Sequence, residues 1–77
     1  MSTAPAPYRH IANDFTDKIK SGELPPGAKL PSTREIADIY GVSMVTVSRA
    51  VSLLHDRDLV IGHPGRGVFV AGEPEDG

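Results

Sequence analysis

The stretch from Ser32 to Val47 constrains the fold more than any other, because it fixes two helix starts and the break between them. Ser32-Thr33-Arg34-Glu35 has the S-x-x-E form of a capping box, in which the serine hydroxyl and the glutamate carboxylate satisfy backbone N–H groups that a first helical turn leaves unpaired. The spacing predicts a helix from Thr33 to about Tyr40, with Ile36, Ala37 and Tyr40 on one face. Gly41-Val42-Ser43 then breaks it. Gly41 can adopt a positive φ, Val42 can return to the core and Ser43 can cap the next helix. That helix carries the apolar stripe Val47, Ala50, Val51 and Leu54 and runs to about Asp56. Two helices that cross closely need a small inward residue on the first, a glycine at the turn four residues later and an aliphatic residue six beyond that. Ala37, Gly41 and Val47 stand at this spacing, although any two short helices joined by glycine could produce the same match.

The flanking segments extend the pattern. Tyr8, Ile11, Ala12, Phe15 and Ile19 recur at helical steps, with Arg9, Asn13, Asp14, Asp17, Lys18 and Lys20 on the outer side. Ser21-Gly22, Pro25 and Pro26 end this helix, and the connector Glu23 to Pro31 has Leu24 and Leu30 as apolar anchors. Leu59-Val60-Ile61 and Val68-Phe69-Val70 are β-prone runs separated by Gly62-His63-Pro64-Gly65-Arg66-Gly67, which predicts a hairpin with a glycine-rich tip. The expected fold is mainly α with a small β-hairpin: a winged helix-turn-helix of three helices and a two-stranded wing. Residues 1–7 read as a flexible arm, residues 8–71 as the domain and residues 72–77 as an acidic flexible tail or linker.

Composition narrows the function classes. A chain of 77 residues holds one small core, and without cysteine neither a disulfide nor a thiolate metal site can staple it. The core is expected to be aliphatic, with Tyr8, Phe15, Tyr40 and Phe69 as its large pieces. No run approaches the ~18 apolar residues of a membrane span, so no membrane partner and a cytoplasmic location are expected. The formal charge is -2, which argues against a polyanion partner, yet Glu73, Glu75 and Asp76 supply three of the acids. Residues 1–72 carry eight Lys or Arg against seven acids, a net of +1, so any basic surface must be a local patch. His10, His55 and His63 fall on separate elements without ligand spacing, and no catalytic motif is present. No metal, no cofactor and no enzymatic activity are expected.

Tyr8, Ile11-Ala12, Ile19, Ser21-Gly22-Glu23-Leu24, Pro26-Gly27, Lys29-Leu30-Pro31-Ser32, Arg34-Glu35, Ala37, Tyr40-Gly41-Val42-Ser43, Thr46-Val47 and Gly65-Arg66-Gly67-Val68-Phe69-Val70 together resemble the N-terminal domain of the GntR family of bacterial transcription regulators. The resemblance implies a repressor that binds a double-stranded DNA operator, with the recognition helix in the major groove and the wing in the minor groove. It implies DNA contacts from Arg34, from Ser43, Met44, Val45, Thr46, Ser48 and Arg49, and from Gly65 and Arg66 at the wing tip. Two positions depart from the family pattern: Met44 replaces a common Arg, and Asp58 a common Gly. Met44 and Val45 would either meet thymine methyl groups or have one member turned inward, and fewer guanine contacts would favour an A·T-rich operator. Arg34 could instead pair with Asp38. The family's effector-binding and dimerisation domain is absent from this chain, so a homodimer is expected only on the DNA, in the bacterial nucleoid. The alternative is a winged-helix protein-interaction module without sequence-specific DNA binding.

Overall fold

The computed structural model describes residues 6–72. Residues 1–5 of the expected arm (1–7) and residues 73–77 of the expected tail (72–77) lie outside the described residues. Helix α1 spans Pro7–Lys20, so Pro7, assigned above to the arm, opens the helix. Proline suits this place because its fixed φ is helical and its missing N–H would have had no partner in the first turn. Ala6 contributes its carbonyl, which accepts from the N–H groups of Arg9 and His10 at 2.9 and 3.0 Å.

Helix α2 spans Thr33–Tyr40 and α3 spans Met44–Asp56, and the chain turns through 111° between them. The capping box at Ser32 is complete: Glu35 N–H donates to Ser32 Oγ at 3.1 Å, and Ser32 N–H donates to Glu35 Oε1 at 3.0 Å. Gly41 closes α2 at φ 66°, a left-handed conformation that lets the chain reverse within one short turn. The end of α3 uses the same geometry without glycine. Asp58 takes φ 58°, its N–H bonds to the His55 carbonyl, and the Leu59 N–H reaches back to Leu54, the two bonds of a Schellman motif. The substituted Asp therefore keeps the turn, in a region of backbone space that costs an L-residue strain.

Strands β1 (Val60–His63) and β2 (Gly67–Val70) pair antiparallel, in the register Val60 to Val70 through His63 to Gly67. Each lies within a residue or two of its expected place. The connector contributes a further pairing on the other side of β2: Gly27 N–H donates to Val70 O, Val70 N–H to Ala28 O and Leu30 N–H to Val68 O, at 2.8 to 3.0 Å. Thus β2 is hydrogen-bonded on both sides, to β1 on one and to the loop before α2 on the other.

The core gathers Ile11, Ala12 and Phe15 from α1, Leu30 from the connector, Ile36 and Ala37 from α2, Val47, Ala50 and Leu54 from α3, and Val60 and Val70 from the wing. It is aliphatic, as expected, but of the four aromatics only Phe15 is buried. Tyr8, Tyr40 and Phe69 are half-buried at its rim. Tyr40 remains there because its hydroxyl donates to Asp14 Oδ2 at 3.1 Å, tying α2 to α1. Burial and the Asp14 carboxylate push the Tyr40 phenol up to about 12.

Ser32→Ala is expected to lower stability by about 1 kcal/mol, a fall of roughly 4–8 °C in Tm for a domain this small, measured by thermal melting. Hydrogen bonds from the Ser32 backbone and side chain hold the Glu35 carboxyl below its ordinary value. Since the folded value is the lower one, this stabilisation is complete above the unfolded carboxyl's value and is lost as pH falls through the folded one. Glu35→Gln should therefore flatten the acid limb of the stability curve, with the largest difference from the parent above the carboxylate range.

Candidate nucleic-acid interface

The first turn of α3 is built by its cap. Ser43 stays extended, its hydroxyl accepts from the Thr46 N–H at 3.2 Å, and the two hydroxyl oxygens lie 3.0 Å apart. Both side chains are engaged in starting the helix, and a helix start offers free N–H groups to an anion. Val47, Ala50 and Leu54 pin the inner stripe of α3, with relative exposures of 0, 0 and 1%. The outer side is thereby presented to solvent. Met44 and Val45 are 53% and 71% exposed, so neither turns inward. Ser48 and Arg49 are exposed beside them.

Arg34 lies exposed in the first turn of α2. Among the described residues Lys18 pairs with Glu23 and the His10 ring lies 3.5 Å from Asp14, and the pairing of Arg34 with Asp38 does not form. Arg66 follows the turn His63 to Arg66, closed by Arg66 N–H to His63 O at 2.9 Å. Pro64, followed by Gly65 at φ 75°, occupies the two central positions as in a type II turn. Arg66 shares a groove of about 290 Å³ with Lys29, Ser32, Thr33 and Val51, so the start of β2 with Arg66 before it and the start of α2 face each other. Arg49 is not on this groove. It lies over the ring of Tyr8 on α1, with its guanidinium carbon 4.8 Å from the ring centroid.

Three nearby residues were missed by the sequence reading. Lys29 lines the groove because the connector joins β2, and its aliphatic stem runs across Gly67. Tyr8, read as core, is half-buried and holds a cation. Arg9, placed above with Lys18 on the outer side of α1, donates from Nε to Tyr8 Oη at 3.3 Å. Lys18 instead pairs with Glu23 at 2.8 Å. The Arg9 hydrogen bond and charge, with a smaller effect of Arg49, hold the Tyr8 phenol below its ordinary value.

Residues 7–70 match the family described as bacterial regulatory proteins, gntR family. The chain is 42% identical over 64 residues to the HTH-type transcriptional repressor NagR of Bacillus subtilis, covering 83% of this chain and 26% of that protein. It thus spans about a quarter of the length of that relative. Among solved structures it is similar to YtrA from Sulfolobus acidocaldarius, a GntR-family transcription factor, at 40% identity and a TM-score of 0.83, covering 94% of this chain and 74% of that one. It also superimposes on the AraR DNA-binding domain in complex with operator ORR3, at 27% identity and a TM-score of 0.87, covering 92% and 86% of the two chains. The winged helix-turn-helix expected from the sequence is the fold observed.

Gly67 has φ 125°, and a Cβ there would lie 2.8 Å from Lys29 Cε. Gly67→Ala should therefore cost about 1 kcal/mol or more and shift the amide resonances of Lys29 and Arg66. Gly62→Ala is the control: its Cβ would meet only His55, at 3.7 Å, and should leave both stability and spectrum close to the parent's.

Proposed function

The chain belongs to the gntR family of bacterial regulatory proteins, and from that premise we propose that it is the DNA-reading part of a transcription repressor. The observation that carries this reading is the N-terminal half of α3, whose inner stripe is fully buried while Met44 and Val45 in the first turn, and Ser48 and Arg49 in the next, face solvent. A helix so pinned offers one face as a rigid probe of the major groove. Ser43 and Thr46 supply hydroxyls and the helix start to a backbone phosphate, and Arg49 the long cation. The methyl groups of Met44 and Val45 suit thymine, which favours an A·T-rich operator.

Arg34 enters from the start of α2 as a phosphate or guanine contact. Gly65 and Arg66 form the tip that enters the minor groove, where a narrow A·T tract concentrates negative potential. The AraR domain on its operator supports this docking. A monomer in solution that pairs on two half-sites, and a cytoplasmic life on the nucleoid, complete the proposal. The exposed Met44-Val45 pair would equally suit a protein partner, and salt separates the two readings: an apolar protein contact is insensitive to it, whereas phosphate contacts weaken steeply.

Duplexes selected from a random pool by the chain itself supply the operator for the test. Arg34→Ala and Arg66→Ala should each weaken binding by about 1–3 kcal/mol, measured by fluorescence anisotropy. Lys18→Ala, whose ammonium is occupied by Glu23, should leave affinity unchanged. Selection of no common sequence, with binding indifferent to salt, would overturn the reading in favour of the protein-interaction module.

A further inference from the structure

Two cations from different helices meet on one tyrosine ring. Arg9 of α1 donates to the Tyr8 hydroxyl at 3.3 Å and has its guanidinium carbon 5.9 Å from the ring centroid. Arg49 of α3 lies over the same ring at 4.8 Å. Both arginines are exposed, and among the described residues neither takes part in an ion pair. The nearest acid along α1, Asp14, is engaged with His10 and with the Tyr40 hydroxyl. Like charges converging on one ring repel each other, and the attraction of an exposed guanidinium to an aromatic face is weak. An anion bound between them removes the repulsion and gains charge-assisted hydrogen bonds from both.

We infer that Arg9, Tyr8 and Arg49 form a phosphate clamp at the start of α1, in which the Tyr8 ring positions the Arg49 guanidinium and the Tyr8 hydroxyl positions that of Arg9. The inference rests on the DNA-reading function proposed above, which makes the anion a backbone phosphate. Arg49 stands one turn beyond Val45 on α3, so the clamp flanks the turn that meets the bases. A cation beside, rather than in, the base-reading turn meets the wall of the groove, which is sugar and phosphate. Such a contact fixes the register of the helix and carries no sequence information of its own. Helix α1, which the sequence reading left out of the interface, thereby becomes one arm of the docking surface.

The test uses the full chain and the selected duplex, with affinity followed across a salt series. Arg9→Ala should weaken binding about 5-fold or more and lower the salt slope by about one, leaving sequence preference unchanged. Tyr8→Phe keeps the ring but removes the acceptor for Arg9, and should reproduce part of that loss. Tyr8→Leu removes the support of Arg49, so the effect of Arg49→Ala should be smaller in that background than in the parent, a coupling that independent sites do not show. Arg9 is exposed and off the apolar stripe, so Arg9→Ala keeps the test decisive even if Tyr8→Leu melts the domain. If Arg9→Ala binds with the parent's affinity and slope while Arg34→Ala and Arg66→Ala are weakened, the clamp is wrong and the DNA-reading function stands. If the unsubstituted chain shows no salt-dependent DNA binding, both are overturned.

Discussion

Val47 must reach the floor of the crossing between α2 and α3, and most of what the chain presents to a partner depends on its doing so. Ala37 leaves room for it, and Gly41 at φ 66° lets the second helix leave at once in a direction 111° from the first. With Val47, Ala50 and Leu54 almost fully buried, Val47 and Leu54 each contributing about 1.5–3 kcal/mol relative to exposure and Ala50 less, α3 cannot roll about its axis without exposing its apolar stripe. A larger side chain at position 37 would lift α3 and displace every residue of its outer face together, because packed interiors transmit such shifts. The rigidity of the outer face is thus a property of residues that never touch a partner.

The wing is held by a second constraint. An isolated two-stranded hairpin is marginal in water, yet here β2 is hydrogen-bonded on both sides and Val60 and Val70 enter the core. The connector that supplies the extra pairing runs directly into Ser32, so the capping box and the hairpin are two ends of one ordered segment. Arg66 and Arg34 are therefore positioned through a common piece of backbone. A change in the connector, such as loss of the Leu30 anchor, would be felt at both.

How legible these features were in the sequence follows from how far apart their partners lie. The caps at Ser32 and Ser43, the break at Gly41 and the stripe of α3 depend on residues within a turn of one another, and the sequence reading located all of them. Asp58, where the family commonly has Gly, keeps the left-handed turn that such a glycine marks. The pairing of residues 27 to 30 with β2 joins segments some forty positions apart through a single bridge at Lys29 and Phe69, too short to show an alternating pattern. A helical wheel gives a face and not a neighbour: Arg9 is exposed on the outer side as read, but Tyr8, a member of the apolar stripe, lies at the core's edge at the helix start, where α3 brings Arg49 across it. Tyr40 and Phe69 have the size of core pieces, but Tyr40 is kept at the rim by its hydroxyl's bond to Asp14 and Phe69 packs against His63, with ring centroids 5.1 Å apart.

The distribution of charge along the helices explains how a nearly neutral chain can carry a cationic face. The helix dipole favours acids in the first turn and bases in the last, by about 0.3–1 kcal/mol each. Several residues here are arranged the other way. Arg9 and Arg34 sit in the first turns of α1 and α2, α1 and α3 have no acid in theirs, and α2 has no base in its last turn. Asp17, Asp38 and Asp56 stand in the last turns instead. Glu35 in the first turn of α2 and Lys18 and Lys20 in the last turn of α1 follow the favoured order, and the Glu35 carboxylate is turned back onto the Ser32 N–H by the capping box. A sequence chosen for stability alone would exchange these positions. As they stand, the guanidinium charges of Arg9 and Arg34 add to the positive ends of two helix dipoles. The same small number of charges then gives a stronger local potential at the helix starts than a net charge near zero suggests, and helix starts are where a phosphate is most readily bound.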